Sequence, residues 1–325
     1  MATVADRIAE GNQYVASHVY ALEAHTVNAL YQQYFLAYRD IEARLIELFR
    51  QLPDGKWSVQ NIAAREYLQN QIRQQMAVLS GIEAEMTLDG MVNGYKAGLL
   101  GAAWNVDTSI YAAIGMNTLT LPLLPNEAIR AQMLAPYVGQ TFTDRFADNR
   151  NEFELRIKRS LVQSQIQGEG VYGAQKRIAE ALGIAIGRRT KADRASNSAA
   201  FARTELIART ELLRASNNGA LATYQANANV LQGYEIKAAL DERTCPQCGA
   251  LDGKRFAFGE GTQPPFHGRC RCTVLPVLID ARLMDRVAGK RQTFSAWAQS
   301  KGLTQNQYGQ AYELRGVKAP VKPAA

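Results

Sequence analysis

All four cysteines of this 325-residue chain fall within 28 residues, and one of its three histidines lies among them. The segment runs Cys245-Pro-Gln-Cys248, then an 18-residue gap, then His267-Gly-Arg-Cys270-Arg-Cys272. Thiolates and an imidazole form the soft donor set that Zn2+ prefers. The pattern therefore requires two separated stretches of the C-terminal half to meet around an ion. Five candidates, Cys245, Cys248, His267, Cys270 and Cys272, compete for four tetrahedral places. Two disulfides are the competing use of four cysteines, but C-x2-C beside His-x2-Cys is a ligand spacing. The first ten residues carry Asp6, Arg7 and Glu10 and no apolar core, so a secretory leader is not expected. Reduced, metal-binding thiols follow from that expectation.

Spacing leaves two ligand sets open. If 269–274 is extended, Cys270 and Cys272 share a face, which gives an all-cysteine site with His267 behind it. If the chain turns at Gly268, His267 and either Cys270 or Cys272 complete a site of three cysteines and one histidine. In both cases the zinc is expected to be structural, a staple for short strands that bury too little surface unaided. A catalytic zinc needs an open position and a nearby base, and the chain has neither HExxH nor the His-x-Glu of zinc deaminases. It also lacks a P-loop. No catalytic residues are assigned, and the chain is not read as an enzyme.

The rest of the chain reads as mainly α with a small α+β module at its C-terminal end. Val15, Val19, Leu22, Leu30, Tyr34, Tyr38, Ile41, Leu45, Leu48 and Leu52 recur at helical steps, predicting one long helix over 1–52. His18 and His25 share a side of it and are read as ordinary packed or surface side chains. Pro53-Asp54-Gly55 ends the helix, and Ser58 is placed as the N-cap of a second. Gly90, Gly94 and Gly98 either allow close helix contacts or break that second helix. Further helices are expected over 144–168, 172–182, 196–227 and 293–301, with a basic loop at 187–193. Short strands over 234–238, 255–258 and 273–278 bracket the cysteines. The end, 316–325, reads as a flexible basic tail. The copies Arg203-Thr204-Glu205 and Arg209-Thr210-Glu211 are six residues apart and face different directions; they read either as a helix of alternating charge or as one buried copy that anchors the metal module through ion pairs.

Charge divides the chain. Residues 1–144 hold 9 Lys/Arg against 14 Asp/Glu, and residues 145–325 hold 28 against 16. The balances are −5 and +12. A basic half fits a polyanionic neighbour such as nucleic acid, or a solvated surface. No run of 18 apolar residues is present, so no membrane span is expected.

One ordered series of motifs goes further. Ile207-Ala-Arg-Thr-Glu-Leu-Leu-Arg-Ala-Ser-Asn-Asn218, Asp241-Glu-Arg-Thr-Cys-Pro-Gln-Cys248, Leu251-Asp-Gly-Lys254 and Pro264-Pro-Phe-His-Gly-Arg-Cys-Arg-Cys272 together resemble the phage Mu F-like minor head proteins, also called head morphogenesis proteins. Gly268 stands where that family commonly has proline. The resemblance implies a minor virion component near the portal vertex of a tailed-phage head, made in the host cytoplasm and acting in head morphogenesis, DNA packaging or DNA ejection. The portal protein would be its partner, with capsid proteins and packaged DNA as further ones. It carries Cys245, Cys248, His267, Cys270 and Cys272 over as the metal group, and Arg209, Thr210 and Glu211 as the motif helix. The domain plan that follows is a helical portal-binding or self-associating region at 1–107, a connector at 108–139, the head-morphogenesis domain at 140–280 and a C-terminal helix and tail at 281–325. The competing functions are a zinc-stabilised DNA-binding module without a virion role, and an ADP-ribosyltransferase-like enzyme.

Overall fold

The computed structural model describes residues 2–52, 55–57, 60–182, 199–288 and 290–303. Two long helices open the chain, α1 (Val4–Arg50) and α2 (Ile62–Val106). Thr3 starts α1: its backbone N–H donates to Asp6 Oδ2 at 2.8 Å and its hydroxyl accepts from Asp6 N at 3.2 Å. This reciprocal cap satisfies two otherwise orphaned amides and holds the Asp6 carboxyl below its usual range. A π-helical turn, Asp107–Tyr111, follows α2 and runs into α3 (Ala112–Ile114); α4 is Asn126–Met133. Then come α5 (Phe142–Ile166), α6 (Val171–Leu182), α7 (Ala199–Ala226), β1 (Leu231–Lys237), α8 (Pro246–Leu251), β2 (Arg255–Ala257), β3 (Thr273–Leu278) and α9 (Phe294–Ser300). The assignments made above to Ser58, to 187–193 and to 316–325 lie outside the described residues. Among the described residues, no helix is long and apolar enough to cross a membrane.

The chain forms two compact units that interleave along the sequence. One comprises Met1–His25, Thr87–Met133 and Arg209–Ala325; the other comprises Thr26–Met86 and Leu134–Ala208. Helices α1, α2 and α7 each contribute to both units.

The second unit is all helical. Its core takes Tyr34, Ile41 and Leu45 from α1, Leu68, Ile72 and Met76 from α2, Phe153, Ile157 and Leu161 from α5, and Ile178 from α6. Tyr34, Tyr38, Ile41, Leu45 and Leu48 of the helical stripe read along 1–52 are buried in this core. Each fully buried aliphatic side chain of this kind contributes about 1.5–3 kcal/mol.

The first unit carries the sheet, ordered β2-β1-β3 and antiparallel throughout. The three strands appear close to where the sequence places them. Pro276 lies opposite Tyr234 in β3, an edge strand where a missing amide is tolerated. Leu231, Tyr234, Ile236, Val274 and Leu278 pack with Val4, Ile8, Val106, Tyr111, Leu213 and Tyr224. The first residues of the expected connector therefore belong to the core: Ile110 and Tyr111 are fully buried, and Tyr111 Oη donates to Asn227 Oδ1 at 3.2 Å. Helices α2 and α7 meet closely. A Cβ on Gly98 would lie 1.8 Å from the Ser216 carbonyl oxygen. Helix α2 runs unbroken through its glycines, and Gly94 and Gly98 act as contact points rather than breaks.

The second Arg-Thr-Glu copy is the more buried one. Glu211, fully buried, bonds Arg214 at 2.8 Å, and Arg214 Nη2 donates to the Met133 carbonyl at 2.9 Å, which ties α7 to the end of α4. Removing one partner of a buried pair leaves the other charge uncompensated. Glu211→Ala should therefore cost about 3–5 kcal/mol, seen as a lower denaturation midpoint, and Glu211→Ala with Arg214→Met should recover part of it.

Candidate metal centre

The first donor pair sits on a small, well-defined knuckle. Cys245 is the N-cap of α8: its sulfur accepts the Cys248 amide at 3.4 Å, and Pro246 occupies the first turn, where no amide is needed. Upstream, Asp241 and Thr244 brace the approach through Asp241 N to Thr244 Oγ1 and Thr244 N to Asp241 O, both 2.9 Å. Downstream, Asp252 Oδ1 accepts the Ala238 amide at 2.8 Å, and Gly253, at φ +74°, donates its amide to the Ile236 carbonyl at 2.8 Å. The Leu-Asp-Gly motif is thus a turn pinned to the end of β1.

The second donor group comes from a turn. Cys270 N donates to the His267 carbonyl at 3.2 Å, with Arg269 in the left-handed region at φ +62°. The turn begins at Gly268, and the extended strand starts only at Thr273. Arg271 forks onto both oxygens of Asp241, so the arginine between the last two cysteines ties their loop to the loop before the first two. That guanidinium holds the Asp241 carboxyl well below the usual carboxylate range. From behind, Asn217 of α7 donates to the Cys272 carbonyl at 3.2 Å and Tyr224 donates to the Val274 carbonyl at 3.3 Å. These neutral hydrogen bonds join the motif helix to the module. Periodicity alone gives no sign of them, because Asn217 and Tyr224 look like any other residues of a helix.

All five candidates converge. His267 Nε2 lies 3.2 Å from Cys245 Sγ and 3.1 Å from Cys248 Sγ, while Cys248 Sγ lies 3.9 Å from Cys270 Sγ. The donor atoms of Cys245, Cys248 and His267 all lie within 4.8 Å of one another, as do those of Cys248, Cys270 and Cys272. Cys248 is shared by both groups. Donors around a tetrahedral Zn2+ stand roughly 3.5–3.8 Å apart, given Zn–S of about 2.3 Å and Zn–N of about 2.0 Å. The donor chemistry and spacing therefore fit a metal ion. His267 Nδ1 lies 2.6 Å from the Gly268 carbonyl, which places its proton there and leaves the Nε2 lone pair facing the sulfurs.

The titrations point the same way. The Cys248 amide lowers the Cys245 thiol, while burial pushes Cys248 up to about 12. A hydrogen bond from Cys272 draws Cys270 down to about 5, and Cys272 rises because it keeps the proton. The Gly268 carbonyl raises His267. Sulfurs this close cannot all ionise unaided; a divalent cation among them compensates the charge and releases their protons. Arg243, Arg269 and Arg271 line the same small cavity, leaving the module's rim cationic.

His18 and His25 take no part. His18 Nδ1 lies 3.0 Å from the Tyr14 carbonyl and its ring stacks on Tyr14, and His25 is exposed.

Residues 156–275 match the family model described as phage Mu protein F like protein. The matched stretch holds every motif quoted for the resemblance and all five donors, so the resemblance rests on this segment. No curated protein and no solved structure gives a significant match.

Proposed function

From a chain whose residues 156–275 carry a phage Mu F-like segment, we propose a minor structural protein of a tailed-phage head, placed near the portal vertex and acting in head morphogenesis and DNA packaging or delivery. The observation that carries this reading is that the five donors and the turns that position them all lie within the matched segment and within one compact unit. Several motif residues hold that group together. Cys245 caps α8, Asp252 pins the turn, Arg271 clasps Asp241, and Asn217 holds the cysteine loop. The ion we assign is a structural Zn2+, because a centre of three or four thiolates leaves no open position for chemistry. Cys245, Cys248 and His267 take three places and either Cys270 or Cys272 the fourth. Cobalt(II) substituted into Cys270→Ser and Cys272→Ser separates these: the true ligand's variant loses one thiolate charge-transfer contribution, and the other keeps the full spectrum.

The role is structural rather than enzymatic on this reading. Glu211, the carboxylate a transferase would need, is buried and paired with Arg214. The basic balance of +12 over 145–325 supports contact with packaged DNA. Exposed apolar side chains on α1 and α2, among them Leu36, Tyr67 and Val78, offer contacts for the portal or a capsid protein. Deleting 1–105 would not test this, since α1 and α2 supply both cores. Mass spectrometry of purified phage heads does: a few copies per particle, cross-linked to the portal, are expected. Absence from both immature and mature heads would refute the virion role.

A further inference from the structure

Glu83 sits on α2 inside the all-helical unit with 3% of its surface exposed. The Tyr34 hydroxyl of α1 lies 2.6 Å from Glu83 Oε1, and the Thr204 hydroxyl of α7 lies 2.8 Å from the same oxygen. The two hydroxyls are themselves 2.7 Å apart. Asn149 of α5 donates to Thr204 Oγ1 at 2.9 Å. Phe153 and Phe201 pack on the Tyr34 ring and shut the group away from water. Among these contacts from α1, α5 and α7, Tyr34 is the one titratable group, Asn149 and Thr204 are neutral, and none supplies a cation.

Three oxygens in mutual contact make three O···O approaches, and each needs a proton between its atoms to be attractive. Tyr34 and Thr204 bring one proton each. Burial holds the Tyr34 hydroxyl well above its usual range, so it stays neutral. The third proton can come only from the carboxyl. If Glu83 ionised, both hydroxyls would point at it and the Tyr34–Thr204 contact would press lone pair against lone pair.

We propose that Glu83 is held as a neutral carboxylic acid and acts as a proton-operated latch that closes a cyclic hydrogen-bond triad joining α1, α2 and α7, with α5 attached through Asn149. Loss of its proton opens the ring, buries an uncompensated charge and loosens the helical unit. The triad also explains the first Arg-Thr-Glu copy, in which Thr204 closes the ring while Arg203 bonds Glu152.

Desolvation, the largest influence, raises the Glu83 carboxyl to about 7. An acid raised on folding contributes stability that is complete below its unfolded pKa near 4.5 and lost as pH rises through the folded one. Between those two values the folding equilibrium constant falls about tenfold per pH unit from this group, and above the folded value the loss is complete.

The test uses the full-length zinc-loaded chain. Infrared spectroscopy at pH 6, where exposed carboxyls are ionised, should show the C=O band of a protonated acid, absent from Glu83→Gln and bleaching as pH rises toward 8. Between about pH 5 and 7, the window in which the unfolded carboxyl has ionised and the folded one has not, hydrogen exchange along α5 should speed up in the wild type beyond the intrinsic rate, and not in Glu83→Gln. No protonated-acid band in the wild type at pH 6, or the same pH dependence of exchange in both proteins, overturns the latch. If Glu83→Gln does not fold, the wild-type infrared titration decides alone.

Discussion

Changing Cys245 and Cys248 together to serine should reduce bound zinc from about one ion per chain to near zero and unfold the module around β1, α8, β2 and β3. The expectation follows from magnitudes. A structural zinc site contributes about 10–16 kcal/mol in small modules at neutral pH, whereas whole domains are stable by only about 5–15 kcal/mol. Cys248 belongs to both donor groups, so no rearrangement of His267, Cys270 and Cys272 replaces it. Two measurements check this: elemental analysis of the purified variant, and hydrogen exchange across 231–278 with and without a chelator. Wild-type protein that keeps full protection after zinc is stripped would show that the module stands without its ion. The all-helical unit takes no donor from this group and should keep its protection in the same experiment.

The second large effect is expected at Gly98. An added methyl would enter the Ser216 carbonyl at 1.8 Å, a backbone atom that cannot swing aside. Helices α2 and α7 would have to move apart, and the unit core containing Ala102, Leu213 and Tyr224 would open with them. Gly98→Ala should cost well over the ~1–3 kcal/mol typical of overpacking, measured as a shift in the chemical denaturation midpoint. Gly81, on the same helix, is the control. Nothing lies within 4 Å of a Cβ built there, so Gly81→Ala should stabilise by about 0.5–1 kcal/mol. Equal and small effects at the two positions would mean that the close approach is not essential.

Much of this is legible in the sequence, for a physical reason in each case. Helical period marks α1 and α5, because one face of each is buried almost without interruption. The three strands stand out by their β-branched and aromatic content between turn residues. The five donors stand out because clustered cysteines have few other uses. What stays hidden involves contacts between segments far apart. The glycines of α2 fit both a break and a close approach, and only the position of Ser216 decides between them. The two Arg-Thr-Glu copies look like alternating charge, yet Thr204 meets a buried acid while Glu211 meets Arg214. Glu83 reads as one more solvated carboxylate. The interleaving of the two units is hidden too, since a continuous apolar stripe does not reveal that its two halves serve different cores.

Pro276 carries one last consequence. Any protein that meets copies of itself risks having its sheets join edge to edge, since an open strand offers amides and carbonyls to a neighbour. The strand flanking this small sheet has a residue at its middle with no amide to give. That edge is therefore a poor template for a further strand, and the sheet is guarded against zipping into a continuous ribbon on this side.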